Sequence, residues 1–190
     1  LPYSWTAAES HGLNQTHLKT SDVGITGEDY LSARRMLLIN NDLMMGICTP
    51  KQRKMDYFFK NADGDELIYI HDGEGVMYSQ FGKLEVKKGD YIVIPRTTIY
   101  RFEFNEKGPL RLLVMESQGP IETVKRYRNE VGQLLEHSPY CERDIRPPHE
   151  IHLEEKKGDY LIQIKKQGML HPYHYAHSPL DIVGWDGYLY

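Results

Sequence analysis

The 190-residue sequence is poor in several things that would mark it out. It has only two cysteines, Cys48 and Cys141, too few and too far apart for a disulfide framework or a zinc knuckle; the expectation is a reducing, cytoplasmic setting. It has no excess of positive charge: 23 Lys and Arg against 27 Asp and Glu give a net charge of −4, which excludes the basic field that would hold nucleic acid. No apolar run approaches the roughly 18 residues that a membrane span needs. No internal repeat of fixed period is present. There is no initiator methionine before Leu1-Pro2 and no signal-peptide pattern, and the chain closes on the strand-like GWDGYLY. The expectation from both ends is a portion of a longer polypeptide. What remains is ordinary for a globular protein, with 40% hydrophobic and 26% charged residues.

The β signal is strong. Residues 31–50 read as two short strands joined at Asn40-Asn41. LIYIHDGEGVMYSQF carries β-branched and aromatic residues on either side of a Gly-rich turn. LEVKKGDYIVIP turns at Lys88-Gly89-Asp90 and stops at Pro95. IYRFEF alternates like a half-buried strand, Asn105–Pro109 reads as a hairpin turn, and LRLLVMES is a further strand. Residues 123–136 carry a helical pattern, and SPYCERDIRPPHE is a proline-punctuated connector. The segment from His152 to His177 reads as two more strands. The predicted organisation is an irregular segment over 1–30, a β-barrel over 31–120, a helix and linker over 121–148, and the first strands of a second, incomplete β domain over 149–190.

NADGDELIYIHDGEGVMY followed by KKGDYIVIPRTTIYRF resembles the two motifs of the cupin family, a small jelly-roll barrel. In metal-binding cupins, histidines and a glutamate from these motifs converge on one divalent ion. Here Glu66 stands at the glutamate position, Gly73 and Gly75 in the turn, and Gly89 and Pro95 in the second motif. The histidine positions upstream of Glu66 fall among Phe59, Lys60, Asn61 and Ala62, and the one after Pro95 falls on Tyr100. The resemblance therefore implies a barrel without its metal ligands. His71 reads as a surface or hydrogen-bonded residue, and Asp63-Gly64-Asp65 as a turn, since the later acidic ligands of a calcium loop are missing.

FFKNADGDELIYIHDGEG, FGKLEVKKGDYIVIPRTTIYRFEF and HSPLDIVGWDG together are similar to the homogentisate 1,2-dioxygenase family over most of residues 30–190. That resemblance implies a share in the conversion of homogentisate and O2 to maleylacetoacetate, in tyrosine and phenylalanine catabolism. It also implies Fe(II) held by two histidines and a glutamate beyond Tyr190, and a homo-oligomer, trimer or hexamer. No catalytic, cofactor or metal residue is then expected in this chain.

The stretch HPYHYAH, His171 to His177, is the remaining metal candidate. On a strand, His171 and His174 face opposite ways, and His171 and His177 lie about 20 Å apart. Packing or hydrogen bonding is the expected role. Tyr173, Tyr175, Trp185, Tyr188 and Tyr190 read as the start of the second domain's core. Two other functional readings stay open. In one, Glu66 and Tyr100 line a small-molecule pocket with Arg96 and Arg101 near its mouth. In the other, iron is bound by His71 with His171 or His174.

Overall fold

The computed structural model describes residues 17–150, 152 and 157–180. The fold is mostly β and forms the expected cupin-like barrel from two sheets. The first contains β1 (Arg34–Ile39), β2 (Leu43–Cys48), β9 (Arg111–Ser117), β4 (Asp65–Asp72) and β7 (Tyr91–Ile94), in that spatial order. The second runs β11 (Met169–Tyr175), β10 (Tyr160–Lys166), β3 (Phe58–Asn61), β8 (Ile99–Phe104), β5 (Glu74–Ser79) and β6 (Gly82–Lys87).

Alternation builds the core. In β4, Ile68 and Ile70 point inward, and in β9 Leu112 and Val114 do; all four are buried. They meet Phe59, Tyr100 and Phe102 from the opposite sheet. Local chemistry sets the turns. The Asn40 side-chain carbonyl accepts from the Asp42 and Leu43 N–H groups and closes the β1–β2 hairpin. Gln167 and Gly168, both with positive φ (54° and 72°), make the tight turn between β10 and β11.

Three expectations change. Residues 123–136 do not form a helix. They make one 3-10 turn at Lys125–Tyr127, and then an isolated bridge from Arg128 to Leu134. The Asn129 side chain captures the Val131 and Gln133 N–H groups, Gly132 takes φ 87°, and Val131 is 80% exposed. With no apolar stripe to bury and a side chain competing for the backbone, a helix has nothing to hold it. Asn105–Pro109 is not a hairpin turn either: β8 and β9 belong to different sheets, so this loop is a corner between them. Lastly, β10 pairs in parallel with β3, so the 160–175 hairpin extends the barrel's own second sheet.

The outer faces of the two sheets differ. On the second sheet, Phe58, Ile162 and Leu180 form a small separate core with Tyr78 and Ile99 packed against it. The His152 ring lies 4.8 Å from that of Tyr78. The chain's own later residues thus cover that face. On the first sheet, Leu38, Met45, Met115, Leu67 and Val93 stand side by side across all five strands. None of the five belongs to the core. Leu38 and Val93 are exposed, at 62% and 45%.

Candidate functional site

Inside the barrel, β1, β4 and β8 bring three polar side chains together. Arg34 opens β1 and points inward, Glu66 is the second residue of β4, and Tyr100 the second of β8. Arg34 Nη1 donates to Glu66 Oε1 at 2.5 Å, and the Tyr100 hydroxyl donates to Glu66 Oε2 at 2.6 Å. Arg34 Nη2 donates to the hydroxyls of Tyr30 and Tyr100 at 2.8 and 3.1 Å. Glu66 and Tyr100 are fully buried, and the Arg34 side chain is 7% exposed. The guanidinium lies 4.6 Å from the Tyr30 ring centroid and 5.0 Å from that of Phe59. It is held by cation–π attraction as well as by charge.

The electrostatics follow from burial. Burial pushes the Tyr100 hydroxyl well above its ordinary pKa, and the neighbouring Glu66 charge pushes it further. Tyr30 is raised chiefly by burial too. Burial works against the Arg34 charge, but Glu66 outweighs it and keeps the guanidinium firmly protonated. The site is a closed charge pair ringed by neutral phenols.

The residues at the cupin ligand positions do not fit an iron ion. Phe59 offers no donor atom. The Asn61 side-chain oxygen already accepts from the N–H groups of Asp63 and Gly64, at 2.9 and 3.2 Å. Both Glu66 oxygens are engaged, and the cation beside them is Arg34. Sequence reasoning placed Glu66 and Tyr100 here but missed Arg34 and Tyr30. The run of two arginines opening an apolar strand, RRMLLI, was the available signal.

A second ion pair stands beside the first. Glu116 of β9 is opposite Glu66 in the register, and Lys165 of β10 pairs with it. This pair opens onto a cleft of about 550 Å³ whose walls include Asn40, Asp63, Arg96 and Gln167. Arg96 lines that cleft; Glu66, Tyr100 and Arg101 do not. The Arg96 guanidinium is tied to Asp65 at 3.3 Å and to the Gln118 carbonyl at 2.7 Å. Arg101 lies over the Phe58 and Tyr78 rings. The pocket imagined from Glu66, Tyr100 and both arginines is therefore not assembled.

The histidines are dispersed. His71 packs edge-on to Tyr69, His174 Nδ1 lies 2.7 Å from Asp159 on the surface, and His177 stacks on Tyr175. Among the described residues, no three His, Cys, Asp or Glu side chains converge on one point. Trp185, Tyr188 and Tyr190 lie outside the described residues.

The profile of the family described as homogentisate 1,2-dioxygenase N-terminal matches residues 30–190. A candidate dioxygenase of Saccharolobus solfataricus is 37% identical over 188 residues, which is 98% of this chain and 46% of that protein. The homogentisate 1,2-dioxygenase of Sinorhizobium fredii is 32% identical over 133 residues, 70% of this chain and 28% of the enzyme. The chain thus spans less than half the length of either relative. Among solved structures, a cupin protein from Bacteroides fragilis matches with a TM-score of 0.43 and 18% identity, over 60% of this chain and 94% of that one.

Proposed function

Since this chain belongs to the homogentisate 1,2-dioxygenase N-terminal family, we propose that it is the architectural barrel of a ring-cleaving dioxygenase acting on homogentisate and O2. The observation that carries this reading is the buried Arg34–Glu66 pair. A protein cation fills the centre of the barrel, so the chain's own residues supply packing and charge balance rather than a redox site. The Fe(II) that the reaction requires would be held by a part of the polypeptide beyond Tyr190. There it would supply the site at which dioxygen and a chelating substrate meet. The proposal extends to the setting: tyrosine and phenylalanine catabolism in the cytoplasm, in a homo-oligomer.

The experiment is iron analysis of the purified chain after anaerobic Fe(II) loading, with oxygen uptake on homogentisate alongside. Absence of stoichiometric iron and of uptake is expected. One iron per chain would overturn the reading.

A second reading takes the barrel as a binding module. The cleft of about 550 Å³ favours it: its cations Lys165 and Arg96 are already paired with Glu116 and Asp65, and its amides Asn40, Asn41, Gln118 and Gln167 suit a small neutral polar molecule. Saturable stabilisation of the chain by such a molecule, lost in Gln167→Ala, would support it.

A further inference from the structure

We propose that the cleft beside the Glu116–Lys165 pair binds a neutral polyhydroxylated small molecule, a sugar or a cyclic polyol, with one hydroxyl anchored on Glu116 and Lys165. The proposal rests on the binding-module reading and narrows it. The dioxygenase reading does not depend on it.

The ion pair at the cleft has hydrogen-bonding capacity left over. Glu116 follows Leu112 and Val114 on the inward face of β9 and is 5% exposed. Its Oε1 accepts from Lys165 Nζ. Among the described residues, Glu116 Oε2 has no hydrogen-bond partner, yet it is not sealed inside the protein, since Glu116 lines the cleft. The Lys165 ammonium carries three N–H donors and gives one of them to Glu116. A hydroxyl can accept from Lys165 Nζ and donate to Glu116 Oε2 at once. A carboxylate only accepts and an ammonium only donates, so neither completes the pair.

The walls are fixed in the backbone and free in the side chains. Asp63 holds the β10–β11 turn through the Gln167 and Gly168 N–H groups, and Asn40 closes the β1–β2 turn. The side-chain amides of Asn41, Gln118 and Gln167 line the cleft and have no hydrogen-bond partner among the described residues. Each amide offers both a donor and an acceptor, and so does each hydroxyl of a polyol. Walls that are already in place keep the cost of ordering low. Charge and shape narrow the choice further. With Lys165 and Arg96 paired, the charges left on the lining are those of Asp42 and Asp63, which oppose an anion. Among the described residues no aromatic ring lines the cleft, so an aromatic acid finds neither a stacking partner nor a free cation. The volume of about 550 Å³ falls within the roughly 300–1,000 Å³ of small-molecule sites.

Sugars stabilise any fold by exclusion from its surface, so the test must read the cleft locally. It is a titration of the isotope-labelled chain with D-glucose and with myo-inositol, followed through the backbone amide signals. Saturable shifts of the Gln167 and Gly168 signals are expected with at least one of the two, and none with acetate, methylammonium or acetamide. Glu116→Gln/Lys165→Met removes both charges together and should abolish the shifts. Should that variant fail to fold, Gln118→Ala decides: it trims an exposed wall side chain and should weaken binding about fivefold. Shifts with acetamide, alone or equally, would overturn the polyol class and leave the binding-module reading standing. Shifts with either ion instead, or with no probe at all, would overturn both. Polyol shifts that persist in the double variant, or undiminished in Gln118→Ala where the double variant does not fold, would overturn the anchoring and with it the proposal. Since iron is read separately, failure here leaves the dioxygenase reading intact.

Discussion

Arg34 and Glu66 stand 32 residues apart in sequence and 2.5 Å apart in the barrel, with the Glu66 side chain wholly removed from water. Removing one member strands the other charge in a medium that cannot solvate it. Arg34→Met or Glu66→Gln should each lower unfolding free energy by about 3–5 kcal/mol. The double variant Arg34→Met/Glu66→Leu should recover part of that loss. A double-mutant cycle by chemical denaturation checks both.

Acid should destabilise the fold through Asp29 and Asp65. Burial pushes the Asp29 carboxyl up, but the Tyr57 and Ser32 hydroxyls and the Leu31 and Ser32 N–H groups outweigh it and hold it below its ordinary value. Burial likewise opposes, and the Arg96 and Ile121 N–H groups with the Arg96 guanidinium outweigh, in Asp65. A folded pKa below the unfolded one means stability that is present above about pH 3.9 and lost as pH falls through the folded value. Asp29→Asn should be less stable at neutral pH and lose less on acidification, as thermal unfolding between neutral and acidic pH will record.

The two thiols should differ sharply in reactivity. Burial pushes Cys48 up to about 12, and its thiol donates to the Tyr30 carbonyl at 3.3 Å. Cys141 is partly exposed. Thiol titration of the native chain should count one fast group, with the second appearing only on unfolding.

Asp63 ties the β10–β11 turn to the barrel, accepting from the Gln167 and Gly168 N–H groups at 2.6 and 2.8 Å. Asp63→Ala should loosen this hairpin by roughly 1.5–3 kcal/mol. Hydrogen exchange should quicken across β10 and β11 and stay slow in β4 and β9.

Much of the barrel was legible because its strands alternate and its turns carry Gly, Asn and Pro. IYRFEF and LRLLVMES were found as strands on that basis. Which sheet each one joins was not legible, since pairing across a barrel leaves no local mark; hence the hairpin expected at Asn105–Pro109 is a corner. The 123–136 segment misled because its composition suits a helix while Asn129 and Gly132 divert the backbone. At the site, motif spacing located Glu66 and Tyr100. Arg34 escaped because a buried cation and a surface one look alike in sequence. Only the fold brings it beneath Glu66.

The parallel pairing of β10 with β3 spans about a hundred residues. Loop closure over that distance is slow, and contacts of such high sequence separation form late in folding. Until the chain has been synthesised past Lys166, β3 has β8 on one side and an unpaired row of N–H and carbonyl groups on the other, next to the apolar Phe58. A nascent barrel in that condition offers an open edge to its neighbours on the ribosome. The hairpin at 160–175 thus acts as a closing seam. A chain cut at the proline-rich connector near residue 148 should collect in inclusion bodies.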